Sequence, residues 1–385
     1  MRSIYEVINR EIGRLFRGKI YWFCMLIAPL LSAGFFISMM HEGLPTDLPM
    51  ALVDMDNSST SRNLVRQLDA FQTTSVASPY ADFEDARKAM QRGEVYGIYY
   101  IPENFTRDAA SGKEPKISFY TNNSFLIAGS LLFRDMKTVS TLASGAVILQ
   151  KGRAQGYPDK QIMAKIQPIV IDSRPIGNPW LNYSVYLSNL ILPGILVLLI
   201  MCITVYSIGI EIKEKTARNW LETGNDSITK CLIGKIIPQT LIFFLTGLLI
   251  FAFLYLFMGF PMNHLISMIA ALFLLIIASQ ALGIFMIGCF PTLRLGLSFA
   301  CIWGMLAFSA SGFSFPVNAM YSFVQPLANL FPLRHYFLIY IDQALNARDI
   351  YYSLSQYLWL LAFLLLPSLN MHQLKKAIKQ QHYQP

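Results

Sequence analysis

The stretch IIPQTLIFFLTGLLIFAFLYLFM, residues 236–258, contains no charged residue. A helix that crosses a bilayer needs about 17–25 consecutive, predominantly apolar residues, so this stretch is long enough to span a membrane. Five further uncharged stretches meet the same requirement. Together they predict six membrane-spanning helices, at residues 20–40, 183–210, 236–258, 265–290, 295–315 and 351–370.

Composition supports a membrane protein that carries one aqueous domain. Hydrophobic residues make up 54% of the 385 positions and charged residues only 14%, whereas soluble domains have about 25% charged residues. The charges concentrate in residues 41–185, between the first two predicted spans. The apolar run at residues 20–40 exceeds the usual ~7–15 residues of a signal peptide, so we interpret it as a retained anchor.

Lys and Arg predict the orientation of the spans. With the N-terminus inside, the cytoplasmic pieces 1–19, 211–235, 291–294 and 371–385 hold 14 basic and 6 acidic residues. The outer pieces are balanced, with 15 of each sign in 41–185 and two of each in 316–350. Both termini are therefore predicted to be cytoplasmic. The predicted layout is an interfacial amphipathic helix at 1–19, span one at 20–40, a periplasmic domain at 41–182, spans two to six within 183–370 and a basic tail at 371–385.

The outer domain is predicted to have a mixed α/β fold, with a compact sheet covered by helices. Ser58 or Ser59 is the predicted cap of its first helix, which follows a turn. Strands are predicted at 48–54, 95–101, 117–120 and 168–172, and helices at 58–70, 82–91, 102–105 and 125–150.

Two further segments are predicted to lie at the membrane surface or partly within it. Residues 4–19 place Ile4, Ile8, Ile12, Leu15 and Phe16 on one helical face, with basic residues on the rest. Such a helix is typical of the membrane interface. Residues 316–349 are too apolar for a free loop and are interrupted by prolines, which favours a re-entrant segment.

The motifs of several enzyme classes are missing. The sequence contains no GxxxxGK[ST] phosphate loop, so ATP hydrolysis by that machinery is not expected on this chain. It also lacks GxSxG and HExxH, and its five cysteines form no CxxC pair. We therefore expect no catalytic residue, no metal and no cofactor in this chain, and no nucleic-acid partner.

The predicted spans have no ionisable residue in their cores, which argues against a proton-coupled carrier. An apolar path suits hydrophobic or amphipathic cargo, and the energy for transport must then come from another polypeptide. The polar residues within or beside the spans are candidates for a translocation path: Asn189, Thr204, Gln239, Gln280, Ser309 and Ser311.

Five sequence segments, in order, resemble the type-2 ABC transporter permeases that carry a large outer domain between the first two spans. In the outer domain they are MALVDMDNSSTSRNLVRQLDA (50–70), ARKAMQRGEVYGIYYIPENFTRDAASG (86–112) and ISFYTNNS (117–124). The others are EIKEKTARNWLETGNDSITKCLIGK (211–235) and SGFSFPVNAMYSFVQPLANLFPLRHYF (311–337). The 211–235 segment departs from the family pattern, because it lacks the usual glycine before Thr216 and has Gly224–Asn225–Asp226 where a Thr-Pro turn is common.

This resemblance implies an exporter permease in a bacterial inner membrane. It implies a partner ATPase subunit that carries ATP and Mg²⁺, a homodimer or a sister permease, and in some systems a periplasmic adaptor and an outer-membrane channel. The alternative from another class is a membrane-anchored receptor or scaffold that displays the outer domain without transport. A membrane enzyme is a third reading, without a polar catalytic cluster to support it.

The cytoplasmic loop 211–235 is the segment that we predict to couple the permease to its ATPase. Trp220 and Leu221 are the predicted apolar anchors in a cleft of the ATPase, because interface cores favour aromatic residues and rims keep charge. The alternative is that Trp220 lies at the lipid headgroups. The candidate coupling residues are Glu211, Lys213, Glu214, Thr216, Trp220, Leu221 and Lys235.

Overall fold

The computed structural model describes residues 2–77, 79–179 and 181–380, so the last five residues of the predicted basic tail lie outside it. The chain divides into two compact units, one of Met1–His41 with Pro175–Pro385 and one of Glu42–Arg174. The main helices in chain order are α1 (Arg2–Arg17), α2 (Lys19–Met39), α3 (Ser59–Asp69), α4 (Phe83–Gln91), α5 (Phe105–Ser111), α6 (Leu126–Ala154), α7 (Asp159–Ile166), α8 (Tyr183–Lys213), α9 (Ala217–Thr223), α10 (Ile228–Phe257), α11 (Leu265–Cys289), α12 (Leu293–Ala310), α13 (Val324–Leu327), α14 (Pro332–Tyr340) and α15 (Ile350–Gln380).

Six of these helices are long and apolar enough to cross a membrane, which confirms the predicted number of spans: α2, α8, α10, α11, α12 and α15. Pro193 lies inside α8 and Pro238 inside α10. Membrane helices tolerate such prolines because neighbouring groups satisfy the freed backbone. α10 begins at Ile228, eight residues before the predicted start of the third span. Lys235, predicted to close a cytoplasmic loop, therefore lies within a helix.

The first helix buries a stripe that shares only Leu15 with the apolar face predicted for the membrane interface. Val7, Glu11 and Leu15 are buried, whereas Ile12 and Phe16 are 38% and 67% exposed. Residues four apart in a helix share one face, so the buried stripe includes the carboxylate of Glu11, whose burial was not predicted. Glu11 can be buried because a lysine pairs with it, as the geometry below shows.

The unit Glu42–Arg174 contains a four-stranded mixed sheet in the order β2-β1-β3-β4. β1 (Leu48–Asp54) pairs in parallel with β2 (Thr74–Val76) and β3 (Gly97–Ile101), and β3 pairs antiparallel with β4 (Ser118–Thr121). Side chains alternate across the sheet, since Met50 and Leu52 pack on the side of α6 while Ala51 and Val53 pack against α4. Ser58 caps α3 and forms a reciprocal bond pair with Ser61.

Two local predictions for this unit fail, and two of its elements were not predicted. Residues 168–172, all described, form no strand, and Ile169, Val170 and Ile171 are at least 75% exposed. β-branched residues favour strands only where a neighbouring strand and packing are available. The short helix predicted at 102–105 instead begins at Phe105, after Asn104 in a left-handed conformation. Neither β2 nor α7 was predicted. For β2 the reason is its length, because a three-residue strand is too short to show alternation.

The segment 316–349 folds as short, proline-interrupted helices. A 3₁₀ turn (Val317–Ala319) precedes α13, a second (Ala328–Leu330) precedes α14, and a π-helical turn (Ile341–Leu345) follows. Pro326 and Pro332 lie where these pieces meet or begin. This agrees with the predicted broken apolar segment.

Candidate functional site

The segment between α8 and α10, residues 214–227, is a tight connection built around the short helix α9. Lys215, Asn225 and Asp226 have φ values of 59°, 54° and 56°. Asn and Asp adopt this left-handed conformation more readily than other non-glycine residues, which explains their presence at the exit turn. The backbone N–H of Thr216 donates to the carbonyl oxygen of Glu211 at 3.0 Å and closes the entry turn. We call residues 214–227 the coupling segment.

An ion-pair cluster lies beside the coupling segment and consists of Arg10, Glu11, Arg14, Glu211 and Lys235. Arg10 donates to both carboxylate oxygens of Glu211, at 2.7 and 2.8 Å. Lys235 Nζ lies 2.7 Å from Glu11 Oε1 and 3.1 Å from Glu211 Oε1. Arg14 also pairs with Glu211. These contacts join α1, α8 and α10 through side chains that the sequence separates by up to 225 positions.

Three members of the cluster are almost completely buried, and its charges balance once a neighbouring exposed carboxylate is counted. The side chains of Glu11, Glu211 and Lys235 are at most 1% exposed, and those of Arg10 and Arg14 are 23% and 24% exposed. Arg14 makes a further pair, at 3.2 Å, with the exposed Glu214, so three cations face three carboxylates. Charges removed from water need such pairing, since an uncompensated buried ion is strongly destabilising.

The coupling segment itself is attached to this cluster. Thr216 Oγ1 donates to Glu211 Oε2 and lies 3.5 Å from Arg14. Burial lowers the pKa of Arg10, but its hydrogen bonds and charge attraction to Glu211 outweigh that effect and raise the pKa above its usual value. Arg10 therefore remains charged at physiological pH. Through the hydrogen bond from Thr216 to Glu211, the cluster holds the start of α9 at a fixed place on α8.

Trp220 and Leu221 are not exposed, so the prediction that they project as anchors is wrong. Trp220 is fully buried and Leu221 is 3% exposed, both within the hydrophobic core of their own chain. Lys235 Nζ lies 4.7 Å from the centre of the Trp220 ring, at a distance typical of a cation–π contact. The aromatic ring thus covers the ion-pair cluster instead of facing a partner.

The exposed face of the coupling segment is polar. Arg218, Asn219 and Glu222 are exposed on α9, on the side opposite Trp220 and Leu221. Asp226 at the end of the segment pairs with Lys379 at 3.0 Å and Lys375 at 3.3 Å, both on α15. Its pKa is lowered, first by the hydrogen bond from Lys379. The segment is consequently held at both ends and presents charged groups between them.

Two glycines allow the close packing around this site. A Cβ atom at Gly234 would lie 2.7 Å from Cγ1 of Val7 and 3.2 Å from the carbonyl oxygen of Ile4, so a side chain there would push α1 off α10. A Cβ atom at Gly224 would lie 2.1 Å from Sγ of Cys231. Both positions bring elements together at the cluster.

The six residues predicted to line a path do not share one cavity. Asn189 accepts a hydrogen bond from Tyr255, whereas Thr204 and Ser311 donate to backbone carbonyls of Ile200 and Phe308 in their own helical turns. Such bonds are the ordinary way in which membrane helices satisfy hydroxyls. Ser309 is exposed on α12.

The remaining two predicted path residues are buried amides with unused hydrogen-bonding capacity. Gln239 is fully buried, and within the described residues neither end of its amide has a partner. Gln280 is 1% exposed and contacts Thr240 at 2.7 Å, while its Nε2 finds no partner in the described part of the chain. Gln280 lines a cavity of about 570 Å³. The other five predicted path residues do not line this cavity.

Sequence reasoning missed three of the five residues of the ion-pair cluster and found no metal site to test. It counted Arg10 and Arg14 among the basic residues of an interfacial helix and did not single out Glu11, although Glu11 lies on the Val7–Leu15 stripe. That spacing was the available signal. Across the described residues, no group of three or more His, Cys, Asp or Glu side chains is arranged to hold a metal ion.

Comparison with known proteins gives two matches. Residues 19–369 match the model of a protein family described as ABC-2 family transporter protein. Over 119 residues the chain is 28% identical to the linearmycin resistance permease protein LnrN of Bacillus subtilis (strain 168). That second match covers 31% of this chain and 30% of LnrN, so the chain spans less than a third of the relative's length in it.

Proposed function

The chain belongs to the ABC-2 transporter family, and we propose that it is the permease subunit of a bacterial exporter powered by a separate ATPase. The chain is a multi-pass membrane protein and a transporter permease subunit. Members of this family are typically transport subunits without catalytic activity, and the family implies an ABC ATPase as partner. What we add is the direction of transport, the class of cargo and the place where the ATPase binds.

We propose an orientation in which both termini and the coupling segment face the cytoplasm, and the unit Glu42–Arg174 lies in the periplasm. The excess of Lys and Arg in the short segments at one end of the spans supports it. The membrane is then the bacterial inner membrane. ATP and Mg²⁺ bind to the ATPase, and two permeases, identical or sister chains, form the complex. A periplasmic adaptor and an outer-membrane channel are further partners in this proposal.

The observation that carries the proposal is the attachment of the coupling segment to three helices at once. Coupling to an ATPase requires an element that moves with the spans when the nucleotide-binding subunits close. A flexible loop would absorb that displacement. Here the Glu211 carboxylate receives Arg10 from α1, Lys235 from α10 and Thr216 from the segment itself. A displacement of α9 is therefore transmitted directly to α1, α8 and α10.

The ATPase is proposed to bind the polar face of α9, not the buried aromatic residue. Arg218, Asn219 and Glu222 are exposed there, and charged rims fix orientation and register at interfaces. Trp220 contributes from beneath by packing against Lys235. Lys213 and Glu214, both exposed at the start of the segment, lie next to this face along the chain.

The proposed cargo is hydrophobic or amphipathic, such as a drug, a lipid or a lipid-linked compound. The spans offer amides, hydroxyls and apolar side chains at membrane depth, and the ionised groups of the cluster are neutralised by one another. The relative LnrN is named for resistance to linearmycin, and export of a harmful compound fits a resistance function.

The test is copurification of an ATPase with the tagged full-length chain from membranes of its own host. We expect a nucleotide-binding subunit in stoichiometric amount, with ATPase activity that the chain alone lacks. Glu222→Arg reverses an exposed charge on α9 and should reduce the recovered ATPase at least ten-fold, as loss of an interfacial charge contact of about 1.4 kcal/mol would.

The matched control is Glu103→Arg, which reverses an exposed charge in the unit Glu42–Arg174. It should leave the recovery of the ATPase unchanged. Recovery of the folded chain without any ATPase would contradict the proposed function and favour a receptor or scaffold. Normal recovery with Glu222→Arg would reject the α9 face as the binding site.

A further inference from the structure

A cavity of about 720 Å³ lies within the unit Glu42–Arg174, between α6 and the connection that leads from α5 to β4. Its volume is in the range of small-molecule sites, about 300–1,000 Å³. On α6 the lining extends from Ser140 to Lys151, which is about 16 Å along the helix axis. Residues 112–118 line the other side. The cavity is therefore an elongated trough, and it is open to water because Ser144 and Lys116 in its lining are exposed.

Part of the lining of this trough is apolar. Its larger apolar side chains are Phe105, Ile117, Val147 and Ile148. Phe105 is 6% exposed and belongs to the core beside the sheet, whereas Ile148 is 46% exposed. Removing apolar surface from water is favourable. An apolar chain that lies along α6 therefore gains free energy by covering Val147 and Ile148.

Basic side chains outnumber acidic ones in the lining. Its charged residues are Lys113, Glu114, Lys116 and Lys151. Lys113 lies 3.5 Å from Asp108. With Glu114 counted against a second lysine, one ammonium group still has no carboxylate to balance it. A site lined by an excess of one charge raises the local concentration of the opposite charge, so the trough favours an anionic ligand.

The ammonium group of Lys151 lies at one end of the trough. Lys151 is half-buried, and its ammonium group forms no hydrogen bond or ion pair with any described residue. A Cβ atom at Gly112 would lie 4.0 Å from Lys151 Nζ, so this group reaches from α6 to the start of the connection. Its three N–H donors remain for water or for a ligand. A carboxylate at this place receives charge-assisted hydrogen bonds, which are roughly twice as strong as those between neutral groups.

We propose that this trough binds a single-chain amphiphile with a carboxylate head group, which bonds to Lys151 while its chain lies along Val147 towards Ser140. Such a molecule matches both features of the lining, the uncompensated ammonium group and the apolar surface beside it. A neutral chain matches only the second feature, and a small inorganic anion only the first. The inference needs neither transport nor an ATPase. Its failure and that of the proposed function are therefore separable.

The experiment measures binding of two probes to the full-length chain in phosphatidylcholine nanodiscs, by equilibrium dialysis, with binding to empty nanodiscs subtracted. The probes are radiolabelled decanoate and decanol, which share a chain and differ in charge. We expect saturable binding of decanoate, about ten-fold tighter than that of decanol, as one charge-assisted hydrogen bond would produce. Lys151→Met keeps an apolar side chain and should remove this preference. Lys137→Met is the matched control, an exposed lysine of α6 outside the lining, and should change neither probe.

A pair of tryptophan variants on α6 tests the location. Ser144 lines the trough and Thr141 does not. Both are exposed, and each hydroxyl donates to the backbone carbonyl oxygen four residues earlier. Ser144→Trp fills the trough and should weaken decanoate binding at least ten-fold, whereas Thr141→Trp should leave it unchanged.

Three results would overturn the proposal. They are the absence of saturable decanoate binding, equal binding of decanoate and decanol to the unaltered chain, and an equal effect of the two tryptophan substitutions. A loss of decanoate binding with Lys137→Met as large as that with Lys151→Met would reject Lys151 as the partner of the carboxylate. Because Ser144 and Thr141 are both exposed, the tryptophan test stands even if Lys151→Met fails to fold.

Discussion

Lys235 and Gln239 lie one helical turn apart on α10, and both are fully buried, yet their surroundings differ completely. Lys235 pairs with Glu11 and Glu211 and packs on Trp220. Gln239 has no hydrogen-bond partner at either end of its amide among the residues described. The same helix thus carries one buried polar side chain with ion-pair partners and one without a hydrogen-bond partner, about 6 Å apart along its axis.

The difference teaches which buried polar groups this bundle can leave without a hydrogen-bond or ion-pair partner. An unpaired ion in an apolar interior costs several kcal/mol or more, whereas an unpaired amide costs about 1–3 kcal/mol. Among the described residues of this unit, the fully buried carboxylates and lysine are Glu11, Glu211 and Lys235, and all three lie in the cluster, where opposite charges meet. Amides are found further along the spans with positions that have no hydrogen-bond partner among the residues described.

The largest effect is expected for Lys235→Met, which removes the paired lysine of this comparison. It leaves Glu11 and Glu211, each at most 1% exposed, with one cation fewer. Loss of one partner from a buried ion pair destabilises by about 3–5 kcal/mol. Thermal unfolding of the purified chain should show this loss. Lys213→Met removes an exposed lysine at the end of α8 and should leave the unfolding midpoint within error of the unaltered chain.

The double variant Lys235→Met with Glu11→Leu should lose less stability than Lys235→Met alone. The second change removes a carboxylate that the first left with Arg10 as its one remaining cation, and it restores the balance of charge. Paired replacement of buried ions by apolar residues is often nearly neutral, so we expect recovery of about 2 kcal/mol. A double variant as unstable as the sum of its two single variants would mean that Glu11 and Lys235 do not act as a pair.

Charge patterning and apolar length were enough to predict the membrane part of this fold. Each span is a long run of uncharged residues, and the helices found at Tyr183–Lys213 and Leu265–Cys289 begin at the predicted residues. The helix ends next to the coupling segment were harder to predict. Lys235 and Glu211 were read as loop residues because they are charged, although charge does not end a helix when a partner neutralises it.

The candidate site was predictable as a segment but not as a geometry. Sequence placed residues 211–235 between two spans and singled out Trp220 and Leu221 because interface cores favour aromatic and apolar residues. It could not show that α1, more than 200 residues away, covers the same place with Arg10 and Glu11. Partners so distant in sequence leave no local pattern. A buried Trp beside Lys235 and an exposed one have the same neighbours along the chain.

Because the amide of Gln239 has no hydrogen-bond partner among the residues described, Gln239→Met is expected to increase stability. Methionine has a similar shape and has no strong hydrogen-bonding group to leave unsatisfied. We expect stabilisation of about 1 kcal/mol, because the cost of an unsatisfied amide is removed. Gln343→Met is the control, since that buried amide donates to Ser353 Oγ and the Arg348 carbonyl oxygen at 3.0 Å each. It should destabilise the chain by about 1–3 kcal/mol. A loss with Gln239→Met would show that Gln239 has a partner.

The smallest effect is expected where charges are paired in water, at Asp226. Its carboxylate lies 3.0 Å from Lys379 and 3.3 Å from Lys375, but all three groups are at least 32% exposed. Asp226→Asn keeps the hydrogen bond that Lys375 Nζ donates to the backbone carbonyl oxygen of Asp226. It removes only the screened attraction, which salt weakens further. The pKa of Asp226 is lowered in the folded chain. Its contribution is therefore present above the usual aspartate pKa and is lost as the pH falls through the lowered value. A small drop in unfolding midpoint at neutral pH and low salt, absent in molar salt, is the expected result. A drop as large as that of Lys235→Met, or one that high salt leaves intact, would show that burial is not what separates these two sets of charges.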